Sequence, residues 1–260
     1  MGILNITPDS FADGGARRDP GVAIADGERM LADGADILDI GGESTRPGAP
    51  PVPADEEWRR IEPVINGLRA RTTACLSVDT YKASTAARAI DCGADIINDI
   101  SGLAHDAAMA EVVARAGVPV VLMHTRGHSA DMYAQAHYTD VVRDVMDELA
   151  ARNAVALEAG IQADRIILDP GIGFAKRAEH SLTVLAGLAR FHALGRPILA
   201  GPSRKSFLKV ATGNVPPDRR VWATAAAITA CVLWGAHIVR VHDVREMAEV
   251  VRAADAIARA

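Results

Sequence analysis

Asp33-Gly34-Ala35-Asp36-Ile37-Leu38-Asp39-Ile40 recurs as Cys92-Gly93-Ala94-Asp95-Ile96-Ile97-Asn98-Asp99, and again as Trp234-Gly235-Ala236-His237-Ile238-Val239-Arg240-Val241. A looser copy is Ala116-Gly117-Val118-Pro119-Val120-Val121-Leu122-Met123. In each copy an alanine-rich amphipathic stretch runs into a glycine, the residue that takes the left-handed conformation after a helix at no steric cost. A short β-branched run follows at once, as in a strand buried on both faces of a parallel sheet. The repeated unit is helix, glycine, strand.

Working outward from these copies, short apolar runs at 2–5, 37–40, 76–79, 96–98, 118–124, 166–169, 197–201 and 238–242 read as strands. Helical patterns separate them at 22–33, 54–71, 83–92, 106–116, 138–159, 178–194 and 219–234, and one at 244–259 closes the chain. Eight strand–helix units in 260 residues predict an α/β fold, a single (β/α)8 TIM barrel, with its ligand site at the C-terminal ends of the strands. A doubly wound open sheet is the alternative, but it usually has fewer strands, and neither G-x-G-x-x-G nor G-x-x-x-x-G-K occurs. No linker or composition shift interrupts the rhythm, so 1–260 reads as one domain. The Pro-rich 47–53 and the Gly-, His- and Ser-rich 125–137 fall in predicted strand-to-helix loops.

Composition narrows the function classes. Apolar residues at 49% and charged residues at 23% exclude wholesale disorder. No run approaches the roughly 20 apolar residues of a membrane span, and no secretory leader is expected. A net charge of -5 gives no general reason to bind nucleic acid. Cys75, Cys92 and Cys231 are odd in number and far apart, so they read as buried thiols in a cytoplasmic protein. Trp58, Trp222 and Trp234 lie in helical patterns and are expected to pack inside. The acidic run 55–57 suits a first helical turn, where the macrodipole favours negative charge.

The predicted strand ends carry Asn5, Asp39 with Glu43, Asp79, Asn98, His124, Asp169, Lys205 just beyond its strand, and Arg240 with His242. Any one of these could be a satisfied polar group of no further use. A ring of them around one barrel mouth carries a desolvation penalty that a purely structural protein has no reason to bear. Asp79, Asn98, Asp169 and Lys205 suit a flat, nitrogen-rich heterocycle, because a carboxylate takes two N–H donors and an ammonium serves a ring carbonyl. Arg240, His242, Ser44-Thr45-Arg46 and Asn5 form an anion side, able to hold phosphate oxygens or a hard metal ion. His124 and His128 have metal-ligand spacing for a helix, but they lie in a predicted loop, so zinc is the lesser reading.

These residues sit inside motifs. Met1-Gly2-Ile3-Leu4-Asn5-Ile6-Thr7-Pro8-Asp9-Ser10-Phe11 and Asp39-Ile40-Gly41-Gly42-Glu43-Ser44-Thr45-Arg46-Pro47-Gly48 resemble the two signature loops of the dihydropteroate synthase family. The resemblance continues through Ser77-Val78-Asp79-Thr80, Ile97-Asn98-Asp99 and Leu122-Met123-His124. It extends to Asp169-Pro170-Gly171-Ile172-Gly173-Phe174, Ser203-Arg204-Lys205-Ser206 and Arg240-Val241-His242-Asp243, in family order along nearly the whole chain. It implies a homodimeric cytoplasmic barrel that condenses 6-hydroxymethyl-7,8-dihydropterin pyrophosphate with p-aminobenzoate, using Mg²⁺, and that sulfonamides inhibit competitively. By the same resemblance Asp79, Asn98, Asp169 and Lys205 bind the pterin, with Met123 and Arg204 against its faces. Asn5, Thr45, Arg240 and His242 hold the pyrophosphate, Asn5 through its metal ion. Phe11, Ser44, Thr45, Arg46, Pro47, Phe174 and Ser206 complete the p-aminobenzoate site. Lys205, Asp169, Arg240 and His242 are the residues expected to carry catalysis.

The sequence departs from the family in two places. The chain begins at the first signature, so the usual N-terminal cap of the barrel floor is expected to be absent, and 125–128 is an unusual loop. Two further functions compete. A pterin-dependent methyltransferase would share the heterocycle pocket but needs no pyrophosphate side, and a non-catalytic pterin-binding paralogue should have lost a rim residue. A phosphosugar isomerase or aldolase would need a Schiff-base lysine or a carboxylate base, which only Lys205 out of its motif context could offer.

Overall fold

The structure is a computed structural model describing residues 1–7, 19–46, 48–127 and 131–260. Its strands are β1 (Gly2–Asn5), β2 (Ile37–Gly41), β3 (Cys75–Asp79), β4 (Ile96–Asp99), β5 (Val120–Met123), β6 (Ile166–Asp169), β7 (Leu199–Ala200) and β8 (Ile238–Val239). The helices are α1 (Pro20–Ala32), α2 (Ala54–Arg69), α3 (Ala83–Asp91), α4 (Met109–Ala116), α5 (Val141–Glu158), α6 (Ala178–Ala186), the short α7 (Lys209–Thr212), α8 (Val221–Leu233) and α9 (Val244–Ala258). All strand pairs are parallel, β1 to β6 in order and β7 with β8.

The two sheets join into one closed barrel. Leu168 N donates to Pro197 O at 2.9 Å between β6 and β7, while Ile3 N donates to Val241 O and Val241 N to Met1 O, each at 2.9 Å, between β8 and β1. Among the described residues, closure leaves no unpaired edge strand. The glycines of the sequence repeats do what the pattern requires: Gly34, Gly93, Gly117 and Gly235 all have positive φ, between 69° and 105°. The pattern at 178–194 is not one helix. It breaks at Gly187 and continues as a 3-10 turn over Leu188–Leu194. β7 and β8 are also shorter than the apolar runs suggested.

Alternation along each strand sorts side chains into two cores. Outward-facing Leu38, Ile40, Leu76, Val78, Ile97, Val120, Leu122, Ile166, Leu168 and Ile198 are buried against the helices. Inside the barrel, Met1, Ile96, Val121 and Leu199 pack with Ile37, Cys75, Ile167 and Ile238, one residue from each strand position around the ring. Two residues further along, roughly 6.6 Å of strand, five of the eight inward positions are polar, Asp39, Ser77, Asn98, Asp169 and Arg240, beside Ile3, Met123 and Gly201. The apolar layer is a plug, and the polar layer resting on it is the floor of a site.

Three side-chain expectations are corrected. Trp58 is buried, but Trp222 is 82% exposed and Trp234 is exposed as well. Cys231 is buried, whereas Cys75 and Cys92 are only half-buried; all three are free thiols. Glu57 does more than sit in a first turn: it is buried and accepts from Thr80 at 3.2 Å, Thr85 at 2.9 Å and Lys82 at 3.1 Å.

Candidate active site

At the centre of the polar floor lies Asp39, fully buried on β2. It accepts from Ser77 Oγ at 2.6 Å, Asn98 Nδ2 at 3.1 Å and Arg240 Nε at 2.5 Å. Arg240 spans the mouth and donates its Nη2 to Asp79 Oδ2 at 2.8 Å. Four strands are thereby tied through one guanidinium and two carboxylates. Burial raises the Asp79 pKa, Arg240 opposes the shift, and Asp39 adds to it. Asp79 is thus a carboxylate whose charge depends on its partner, ready to accept N–H donors from a ligand.

A second wall comes from the turn after β6. Asp169 is buried, accepts from Gly171 N at 2.7 Å, and has its pKa raised by burial against the pull of Lys205. The backbone passes through the left-handed region at Gly171 (φ +66°) and Gly173 (φ +84°). A Cβ at Gly171 would lie 1.9 Å from the His124 carbonyl, and one at Gly173 2.8 Å from Lys205 Cδ, so only glycine fits either place. Lys205 Nζ donates to the Ile172 carbonyl and lies 4.3 Å over the Phe174 ring. Burial lowers its pKa to about 8, with Asp169 opposing. Cation, carbonyl and aromatic ring are locked into one arrangement.

The floor and this wall open into a cavity of about 530 Å³ lined by Asn5, Ser44, Thr45, Arg46, Asp79, Phe174, Arg204, Lys205, Ser206, Arg240 and His242, among others. His242 Nδ1 is engaged by Ser203 Oγ at 3.0 Å. Burial, then Arg204 and Arg240, depress its pKa to about 3, so the ring is neutral at physiological pH and serves as a hydrogen-bonding group. Arg204 has the left-handed φ of +59°, a strain of about 1–3 kcal/mol seen at functional sites. It is held there by Thr224 on its N–H at 3.1 Å, by Arg220 on its carbonyl at 2.8 Å, and by Asp243 on its guanidinium. This tether turns the Arg204 head toward Asp243, and Arg240 is the guanidinium that crosses the mouth.

Most of the expected site residues come together in this one cavity. Asn98, Met123 and Asp169 are buried just below it, in the floor. Phe11 and Pro47 lie outside the described residues, as does His128. His124 does not join the ring. Val121 and Met123 point inward, so parity sends His124 outward to α5, where Glu148 takes Nε2 at 3.0 Å and Lys176 takes Nδ1 at 2.8 Å. Both ring nitrogens are engaged, which removes it as a zinc ligand. Glu43 also turns from the cavity mouth, to Tyr81 and Lys82. Sequence reading gave Asp39 a place but no role. Its partner Arg240 is 201 residues away, and only the closed barrel brings them together. Lys176 was missed altogether, since a lysine after a glycine-rich turn reads as a solvated residue.

The described residues contain no group of three or more His, Cys, Asp or Glu side chains able to hold a metal ion. Magnesium binds characteristically through one or two protein oxygens plus substrate phosphates. Asn5, at the end of β1 on the cavity wall, offers one such oxygen. The donor set therefore fits an ion carried in on a phosphate-bearing substrate.

A barrel mouth with a buried carboxylate floor and a cationic rim is the arrangement of a pterin-binding enzyme, and the family model of that description matches residues 1–242. The chain is 44% identical to the dihydropteroate synthase of Synechocystis, an alignment covering 100% of this chain and 90% of the relative. The Xanthomonas albilineans dihydropteroate synthase with 4-aminobenzoic acid superposes with a TM-score of 0.92 at 44% identity, covering 98% of this chain and 91% of that one. The Yersinia pestis dihydropteroate synthase in a sulfonamide drug complex gives 0.95 at 40% identity, covering 100% and 94%. The chain belongs to the dihydropteroate synthases of the pterin-binding enzyme family. The methyltransferase, the non-catalytic paralogue and the phosphosugar enzyme fall away as readings.

Proposed function

We propose that this cavity joins 6-hydroxymethyl-7,8-dihydropterin pyrophosphate to p-aminobenzoate, releasing pyrophosphate and 7,8-dihydropteroate. The observation that carries this reading is one 530 Å³ cavity with Asp79 and Lys205 on its walls, Asp169 beneath, Arg240 reaching up from the floor, and Arg46 and His242 at the rim. The pterin lies deepest, its amino and ring N–H groups on Asp79 and Asp169, its ring carbonyl on Lys205, with Asn98 and Met123 below. Thr45, Arg240 and His242 take the pyrophosphate, and Asn5 would hold a magnesium ion bound to it, which would supply positive charge against the leaving group. Ser44, Arg46, Phe174 and Ser206, with Phe11 and Pro47, seat the p-aminobenzoate. Arg204, tethered to Asp243, supports the rim beside the pterin edge.

Breaking the C–O bond leaves positive charge on the pterin methylene and negative charge on pyrophosphate. Carboxylates under the ring favour the first, and Arg240 with the His242 N–H favours the second, both preorganised before the reaction begins. The displacement is therefore largely dissociative. An aniline nitrogen sheds its proton readily after attack, so the site needs no strong general base, in keeping with a neutral His242. Arg240 has a double duty: ring N–H groups that occupy Asp79 release one arm of its fork, while Asp39 keeps the other in place.

Sulfonamides compete for the p-aminobenzoate position on this reading, and the sulfonamide-bound relative supports it. A homodimer is proposed on the exposed apolar side chains Trp222 and Leu233 of α8 and Ile257 of α9. A cytoplasmic setting accords with three free thiols. The test is pyrophosphate release with Mg²⁺, with and without p-aminobenzoate. Release that depends on the amine, with dihydropteroate as product, is expected; release without it, or none, would overturn the proposal.

A further inference from the structure

Lys176 is 2% exposed and lies behind the site wall, outside the substrate cavity. Its ammonium has three N–H bonds and meets three acceptors: His124 Nδ1 at 2.8 Å, Gly171 O at 3.1 Å and Phe174 O at 3.1 Å. The acceptor character of His124 Nδ1 follows from its other nitrogen. Arg126 and His124 keep Glu148 ionised, its pKa lowered to about 2 chiefly by the His124 hydrogen bond, so Nε2 carries the proton it donates. Burial pulls the Lys176 pKa well below the usual lysine value. A neutral amine, however, would have only two N–H bonds for three acceptors, so the protonated form is the one that satisfies the site.

The two carbonyls that Lys176 holds are the ends of the turn 171–174. Its own backbone closes it through the Phe174 N–H on the Gly171 carbonyl at 2.9 Å, and the rest of its support comes from outside. Gly171, Gly173 and Ala175 all have left-handed φ, and at Ala175 (φ +47°) a methyl group makes that unfavourable. Tyr138 Oη donates to the Ala175 carbonyl at 2.8 Å and adds a second tie from the same side. On its other face the turn presents the Ile172 carbonyl and the Phe174 ring to Lys205. One turn is thus gripped by two lysines, one from behind and one inside the cavity.

We infer that Lys176, with His124 and Glu148 behind it, is a positioning residue that sets the place of Lys205 and Phe174 without touching substrate. The inference deepens the proposed reaction and rests on Lys205 contacting the pterin. Removing the rear grip lets the turn relax, and the pocket ammonium loses the carbonyl and the ring that aim it.

A double-mutant cycle tests this, using Lys176→Met, Lys205→Met and the pair, with calorimetric binding of the dihydropterin pyrophosphate in Mg²⁺ and thermal unfolding of each protein. Expected is about a tenfold loss of pterin affinity from Lys176→Met in the wild-type background and less than about twofold in the Lys205→Met background, since residues that act through one shared backbone segment couple. A merely structural lysine would lower the unfolding temperature and leave pterin affinity untouched, or act equally in both backgrounds; either result overturns the inference. If Lys176→Met does not fold, Glu148→Gln, which withdraws the carboxylate behind His124 at a partly exposed position, takes its place in the same cycle, with about a threefold loss expected in the wild-type background and none in the Lys205→Met background. A wild-type protein that fails to bind the pterin would overturn the proposed reaction itself, an outcome distinct from an additive cycle.

Discussion

The two ends of the cavity are built differently. The deep end is made of strand residues with fixed partners: Asp39, Ser77, Asn98, Asp79 and Arg240 satisfy one another inside the barrel. The outer end is made of loop residues with few ties, such as Ser44, Thr45 and Arg46, where the Arg46 N–H reaches Ser44 Oγ only at 3.5 Å. Buried polar groups reject a ligand that leaves them unpaired, so the deep end selects its heterocycle strictly. The outer end, with fewer fixed partners, constrains its ligand less. Specificity and stability are coupled at the floor and separate at the rim.

The largest effect is expected at the floor. Arg240→Met leaves Asp39 and Asp79 buried without their cation and should cost about 3–5 kcal/mol of stability as well as pyrophosphate release. Denaturant unfolding and turnover measure both, and an unchanged midpoint would refute the claim that floor and fold are one structure. Next come Asp169→Asn and Lys205→Met, each expected to weaken pterin binding by about 10- to 100-fold, the value of a hydrogen bond to a charged group. Their pH behaviour sharpens the point. Lys205 loses its proton as pH rises through about 8, so kcat/KM for the pterin substrate falls above that value. Asp79 and Asp169, raised by burial, take up protons at a pH above the ordinary carboxylate range, so kcat/KM falls on the acid side too. In Lys205→Met the alkaline limb should vanish; a persistent limb would assign it elsewhere.

A smaller effect is expected from Gly173→Ala, which sets a methyl 2.8 Å from Lys205 Cδ at a φ of +84°. About 1–2 kcal/mol of strain should appear as weaker pterin binding with p-aminobenzoate KM less affected, and the reverse pattern would place the turn's role at the outer end. Smallest of all is Thr45→Val at the rim. It should raise substrate KM by about three- to tenfold, the weight of one neutral hydrogen bond, with no shift in unfolding temperature. A destabilised Thr45→Val would erase the distinction between floor and rim.

Much of this was legible in the sequence because it rests on local rules. Helix–glycine–strand repeats are dictated within ten residues, and the glycines at 34, 93, 117 and 235 adopt the conformation that the pattern implies. Asp79, Lys205, Arg240 and His242 were visible as polar residues closing apolar runs. The failures are equally physical. His124 closes such a run too, but one residue of parity sends it to the outer face, where it meets Glu148 on α5. The break at Gly187 could not be read from periodicity, because a 3-10 turn keeps nearly the same apolar spacing as a helix.

By itself, then, the sequence determined the eight-fold alternation, the glycine turns and the set of residue types at the barrel mouth. All of these follow from propensities and spacings that act over a few residues. Only the tertiary structure decided which of those residues face one another: Arg240 between Asp39 and Asp79, Lys176 behind the turn that aims Lys205, and His124 outside the ring. The two Arg240 pairings join residues 161 and 201 positions apart, and closing the barrel is what sets the distances across which those charges pair.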